Sequence, residues 1–208
     1  MPFDLASVLD PAHSALVTVE LQVTSIGPLG APHPDLMAAG EGPMLEHVAT
    51  LARSARRAGV PVVHCLVARP SGVRQVRPNR LSNLGRDRPA APVLPNEELL
   101  HPGVGAEPTD VVLRRPHGLT PMVNTDLDGL LRSMAVTTIV LTGVSVNLAL
   151  LGATIAAADH SYQVVIPRDA TGGIGADLVD MLYERIYPLL ATVTTTEQVR
   201  AVWDAVPA

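Results

Sequence analysis

The chain has 208 residues, 47% of them hydrophobic, 17% charged and 2% aromatic, with a net charge of −5 and a mean hydropathy of +0.27. A chain of this size can bury roughly 70% of its unfolded surface, so one domain over residues 1–208 is expected, and the low charge excludes a disordered polymer. The acidic balance excludes a general attraction to nucleic acid or anionic membrane, the lone Cys65 excludes an intramolecular disulfide, and the absence of lysine among 15 basic residues excludes lysine chemistry.

Taken in order, residues 1–14 (MPFDLASVLDPAHS) place acids and prolines where a secretion signal needs a basic start and an apolar core. A cytoplasmic location is therefore expected. Residues 15–21 (ALVTVEL) are predicted as a first strand. Residues 45–58 repeat apolar side chains at three and four spacing, which predicts an amphipathic helix stopped by Gly59. Residues 61–67 (PVVHCLV) and 110–113 (DVVL) are the second and third strands, with a helix at 125–134. Between them, residues 68–109 are rich in Pro, Arg, Gly and Asn and lack periodicity; a loop of that length usually has a function. Residues 133–158 hold no charge, long enough for a membrane span. Their β-branched run, the break at Thr142-Gly143, and the Ser145, Asn147 and alanine-rich continuation instead predict a strand (137–141), a turn and a helix (146–159). A strand at 163–166, a helix at 176–189, a strand at 191–195 and a helix at 196–205 complete the chain, with Trp203 packing in the last. Apolar strands alternating with helices predict a parallel sheet covered on both faces, a doubly wound three-layer α/β/α sandwich.

Ligands of such sheets bind beyond the carboxyl ends of the strands. Those ends carry Glu20 and Gln22 after the first strand, Arg114, Arg115, His117 and Gly118 after the third, Gly143 to Asn147 after the fourth, and Arg168 and Asp169 after the fifth. A carboxylate, a guanidinium, an imidazole and a helix amino terminus can share one cleft. Plainer roles stand beside these. Glu20 also suits a structural pair with Arg114 or Arg115, one of which should be a surface charge because neighbours on extended backbone point apart. His117 also suits a loop, Asp169 a helix cap, and His64 and Cys65 the core.

Four segments together resemble the isochorismatase-like, or cysteine hydrolase, superfamily: LVTVELQ, DVVLRRPHGLTPMVNTDLDGLLR, VTTIVLTGVSVNLALLGAT and YQVVIPRDATGG. The resemblance runs from Ala15 to about Thr195. It implies a six-stranded parallel sheet in the order 3-2-1-4-5-6, a small-molecule substrate and a homo-oligomer. The amidases of that superfamily use an aspartate, a lysine and a cysteine; the matching positions here are Glu20, Arg115 (or Arg114) and Ala149. A cis peptide is implied at Val144–Ser145. The Asp-His-His metal spacing of that superfamily's nicotinamidases is missing around His64, so neither a metal nor another cofactor is expected.

Alanine offers no nucleophile. The isochorismatase branch implies another route, in which the carboxylic acid after the first strand protonates a vinyl ether and water adds. Glu20 would serve as that acid or as a base. Burial would raise its pKa and a nearby Arg115 would lower it. Arg115, always charged, suits gripping a carboxylate. His117 is a reserve proton carrier. Gln22, Arg114, Gly143, Val144, Ser145, Asn147 and Ala149 are expected to line the substrate. The alternatives are a non-catalytic member that binds a ligand or acts as a subunit, and a cysteine amidase using Cys65.

Overall fold

The computed structural model describes residues 4–27, 29, 33–67, 80 and 94–205. Seven parallel strands make one sheet: β1 Ser14–Val19, β2 Val62–Val67, β3 Val111–Arg115, β4 Thr138–Val144, β5 Gln163–Pro167, β6 Thr171–Gly172 and β7 Thr192–Thr194. Their order is β3-β2-β1-β4-β5-β7, with the two-residue β6 beside the end of β4. This is the expected order with one short strand added.

Ten helices are described: α1 Leu5–Val8, α2 Val23–Ile26, α3 Pro34–Glu41, α4 Pro43–Arg57, α5 Asn96–Leu99, α6 Leu127–Ser133, α7 Ala149–Asp159, α8 Ala176–Arg185, α9 Tyr187–Leu190 and α10 Thr196–Trp203. Successive strand residues face opposite sides. Leu16, Leu66, Val140 and Val165 pack with α3, α4 and α10 on one face. Val17, Cys65, Leu141 and Ile166 pack with α6 to α9 on the other. All six residues of β1 are buried, which is why the strand reads as apolar without alternation. Trp203 is fully buried, and its indole N–H donates to Leu9 O at 3.1 Å.

Some boundaries differ from expectation for local reasons. The helix expected at 176–189 divides at Ile186 into α8 and α9. Pro188 has no amide hydrogen for Glu184 O, so one continuous helix would lose a bond there. The helix expected from 146 begins at Ala149, after a turn closed by Leu148 N and Leu150 N donating to Ser145 O. Within 68–109, expected as one irregular loop, the described part contains α5, a bridge from Leu100 to Gln22 and a 3-10 turn at Pro102–Val104. The rest of that segment lies outside the described residues, apart from Arg80.

The start of β3 is tied down by a charged network. The Asp110 side chain, 2% exposed, accepts from Arg56 Nε at 2.9 Å, Arg56 Nη2 at 2.6 Å, His64 Nε2 at 3.1 Å and Glu107 N at 2.9 Å. His64 Nδ1 lies 2.8 Å from Thr18 Oγ1. With Nε2–H donating to Asp110, Nδ1 is the acceptor for the Thr18 hydroxyl. Four elements, α4, β1, β2 and β3, are thus joined.

At the far end of the chain, Thr195 caps α10 in a reciprocal capping box with Gln198. Thr195→Ala is expected to cost about 1 kcal/mol. Urea denaturation of the two proteins checks this, and an unchanged midpoint would count against a working cap.

Candidate functional site

Strand β1 ends at Val19, one residue earlier than needed to include Glu20, whose φ of 55° is left-handed. A non-glycine residue there is uncommon and strained. The turn is held by Glu20 N donating to Cys65 O at 2.9 Å, and it directs the carboxylate across the end of β2. The side chain of Arg115, the last residue of β3, meets it there. Arg115 Nη2 donates to Glu20 Oε1 and, at 2.8 Å, to Leu119 O. Glu20 is 18% exposed and Arg115 only 3%. Arg114, as adjacent extended residues require, points out to solvent. Arg115 Nε and Nη1 find no acceptor among the described residues.

Two effects compete on Glu20. Burial raises its pKa, and the charge and hydrogen bond of Arg115 lower it; burial is the larger, so the pKa lies above the ordinary 4.5. The same burial pushes the Cys65 thiol up to about 12, against a smaller lowering by Arg115. Cys65 is 2% exposed, and buried thiols of this kind are poor nucleophiles. Iodoacetamide is expected to label Cys65 slowly in the native protein and rapidly in urea, as read by mass spectrometry. Fast, complete labelling of native protein would overturn this picture of the thiol.

The other expected site residues divide. Gly143 lies beside Val19, where a Cβ would stand 2.3 Å from Val19 O; only glycine permits this approach of β4 to β1 at φ 103°. The Val144–Ser145 peptide bond is cis, as the resemblance implies. Val144, Ser145 and Ala149 are buried, with Ala149 in the core among the residues of α7. Gln22 is fully engaged with backbone, its Nε2 donating to Val67 O at 2.9 Å and its Oε1 accepting from Val67 N at 3.5 Å. Asn147 does the same at the loop before α8, donating to Ile174 O and accepting from Ile174 N. Both side chains brace loops. His117 is exposed in the turn after β3, with no bond to Glu20 or Arg115 among the described residues. Asp169 accepts from Thr196 N and Thr196 Oγ1, at the first turn of α10; it is a cap.

A cavity of about 540 Å³ opens beside this pair, lined by Arg115 together with Cys65, Leu113, Pro121, Asn124 and Asp126. Asn124 and Asp126 were not anticipated from sequence. A signal was present: Asn124-Thr125-Asp126 is a polar run directly ahead of an apolar helix, as at many helix starts. Among the described residues no group of three or more His, Cys, Asp or Glu side chains is placed to hold a metal ion, and no helix there is long and apolar enough to cross a membrane.

Residues 14–198 match the family model described as Isochorismatase domain. The chain belongs to the isochorismatase family. Among relatives in this family, it is 28% identical over 194 residues to the isochorismatase family protein YecD of Escherichia coli O157:H7, covering 92% of this chain and 96% of that one. It is 27% identical over 188 residues to the ureidoacrylate amidohydrolase RutB of Methylobacterium radiotolerans, covering 81% of this chain and 70% of that protein. The structure of an isochorismatase family protein from Burkholderia thailandensis superposes with a TM-score of 0.75 at 27% identity, covering 93% and 97% of the two chains. Isochorismatase-family membership and the three-layer parallel-sheet fold are therefore consistent with one another.

Proposed function

We propose that this member of the isochorismatase family hydrolyses a small carboxylated metabolite by carboxylate chemistry, without a cysteine nucleophile. The observation that carries this reading is the Glu20–Arg115 pair at the carboxyl ends of β1 and β3, with burial holding the Glu20 pKa above its ordinary value. A raised pKa suits a group that must deliver a proton near neutral pH. On a vinyl ether, the Glu20 proton adds to the alkene carbon, water adds to the resulting oxocarbenium carbon and gives a proton back to the Glu20 carboxylate, and the hemiketal separates into a ketone and an alcohol. On an amide, the ionised Glu20 takes a proton from the attacking water and returns it to the leaving nitrogen. The amidohydrolase name of the Methylobacterium relative supports including amides. Arg115 grips the carboxylate of the substrate. Ala149 supplies no nucleophile and Cys65 is on β2 with a raised pKa, which supports a route without thiolate. His117, Gln22, Arg114, Gly143, Val144, Ser145, Asn147 and Ala149 complete the proposed site, the last five as its wall at the end of β4.

The reading takes residues 1–208 as one domain acting in the cytoplasm as a homo-oligomer on a small molecule. Gel filtration at monomer mass would refute the oligomer. A second reading rests on Ala149, Gln22 and Asn147: an alanine packed in the core and two amides already spent on backbone suit a protein that binds without turnover. Assay of the purified protein on carboxylated vinyl ethers and amides separates the two. Enzymatic turnover of any of them excludes the second reading; none across the panel overturns the first.

A further inference from the structure

An outer-layer helix normally turns polar side chains to water, and one that is apolar all round is normally covered. Helix α7 is apolar all round. From Ala149 to Ala158 its only polar side chain is Thr154, which is buried and donates its hydroxyl to Leu150 O at 2.8 Å. Its outward residues Leu151, Gly152, Ile155 and Ala156 carry nothing polar. The apolar surface continues onto the neighbouring helices. Of the nine large apolar side chains exposed among the described residues, six lie here: Leu148 and Ile155 at α7, Leu178 and Met181 on α8, Ile186 and Leu189 at α9. Helix α9 packs against both α7 and α8. Its buried Tyr187 joins all three, since the ring stacks on Tyr183 with centroids 4.9 Å apart and the hydroxyl donates to Val146 O at 2.6 Å. The face is therefore preformed, and covering it costs little in ordering.

We propose that this face, the outer side of α7 continued by α8 and α9, docks a second copy of the same chain across a two-fold axis. Area favours such an occupant. The six side chains together expose about 550 Å², near the upper end for the largest patch on an ordinary monomer and more than half of the roughly 800 Å² that each partner gives to a stable complex. Leu151, Ala156 and Ala158, interleaved with them, extend the contact. Charge favours a copy as well. The seam along α7 and α9 holds no charged residue from Ala149 to Ala158 or from Tyr187 to Leu190, so an isologous contact sets no charge against its own image. The exposed charges of α8 stay at the rim, where water reaches them. They are Asp177, Asp180, Glu184 and Arg185, an acidic balance that disfavours an anionic membrane surface. The inference deepens the homo-oligomer of the proposed function, on which it rests, by naming its surface; it uses none of the hydrolase chemistry. It has one consequence for the site. Leu148 immediately precedes Ala149 and is 40% exposed, so docking brings the second copy against the turn that carries the proposed wall at the end of β4.

The test is light scattering on the full chain as it elutes from gel filtration, across a micromolar dilution series. Wild type should elute at twice 21.8 kDa or more. Ile155→Asp should halve the mass of the wild-type particle and raise its Kd at least about 100-fold, because a two-fold contact buries the unpaired carboxylate twice. Should circular dichroism show that variant unfolded, Leu189→Asp must halve the mass instead; Leu189 is the most exposed of the six. Met37→Asp, at an exposed apolar position on α3 in the opposite layer, should leave the mass unchanged. Moderate sodium chloride should change the Kd little, since an apolar seam is not screened. Wild type at monomer mass would overturn both the oligomer and its surface. An undiminished mass in the folded Asp variants, equal dissociation by Met37→Asp or a steep salt dependence would overturn the surface alone. Flotation of wild type with phosphatidylcholine vesicles would assign the face to lipid and overturn the second copy. Turnover is read separately: none across the vinyl ether and amide panel, with the mass halved by Ile155→Asp, would overturn the hydrolase reading and leave the surface standing.

Discussion

Glu20→Gln is expected to lower kcat on the preferred vinyl ether or amide by about 10²–10⁴-fold, the usual contribution of a positioned general acid or base. The substitution keeps the side-chain length and an oxygen that accepts from Arg115, so the left-handed turn after β1 and the end of β3 should survive; an unchanged circular dichroism spectrum verifies this. KM should move little, because Glu20 acts on the reacting atoms and Arg115 on the carboxylate. The pH profile adds a sign. For a vinyl ether the active form is protonated Glu20, so kcat is full below its pKa and falls as pH rises through it. That fall occurs above the ordinary 4.5, because burial outweighs Arg115. For an amide, where the ionised form is the base, the limb is reversed. Undiminished turnover in the Gln variant would remove Glu20 from the chemistry.

The largest effect on stability is expected at Asp110. Asp110→Ala would strand Arg56, His64 and the amide of Glu107, three groups that now donate to one carboxylate with a 2% exposed side chain. Breaking a buried charged partnership from one side typically costs about 3–5 kcal/mol, equivalent in a chain of this size to roughly 6–20 °C in Tm. Calorimetry of both proteins measures it, and a loss below about 1 kcal/mol would put the network among weak surface pairs. The network also sets an acid limit. The hydrogen bonds from His64 and Arg56 hold the Asp110 pKa well below its ordinary 3.8 in the fold. The stability so gained is fully present above that value and is lost as pH falls through it toward the folded pKa. Urea titrations between neutral pH and pH 3 should show this loss in wild type and a smaller slope in Asp110→Asn.

The sheet was legible because each of its longer strands is a short apolar run between breakers, and β1, covered on both faces, has no polar alternation to confuse it. Helix starts were less legible. Asn147 and Ser145 resemble the polar opening of a helix, yet Asn147 is bound to Ile174 and the helix waits until Ala149. Tertiary partners of that kind leave no periodic trace. The same holds for the site. The placement of Glu20 and Arg115 at strand ends followed from chain order, but the bond by which Gln22 braces Val67 did not. Its partner lies 45 residues away, beyond any local pattern. The competition between burial and charge at Glu20 was also invisible in one dimension, since it depends on how far Arg115 is withdrawn from solvent.

The left-handed backbone of Glu20 has a consequence for how this protein could change. A glycine there would relieve the Cβ penalty and remove a half-sequestered carboxylate, so the main chain gains from losing the residue on which the proposed chemistry depends. Only the guanidinium of Arg115 resists the exchange, being left with one fewer acceptor. A variant carrying Gly at position 20 and an uncharged residue at 115 would escape both costs. Selection of this chain for thermal tolerance alone should therefore drift toward that pair, and the drift would remove the groups on which the proposed chemistry rests without any change of fold.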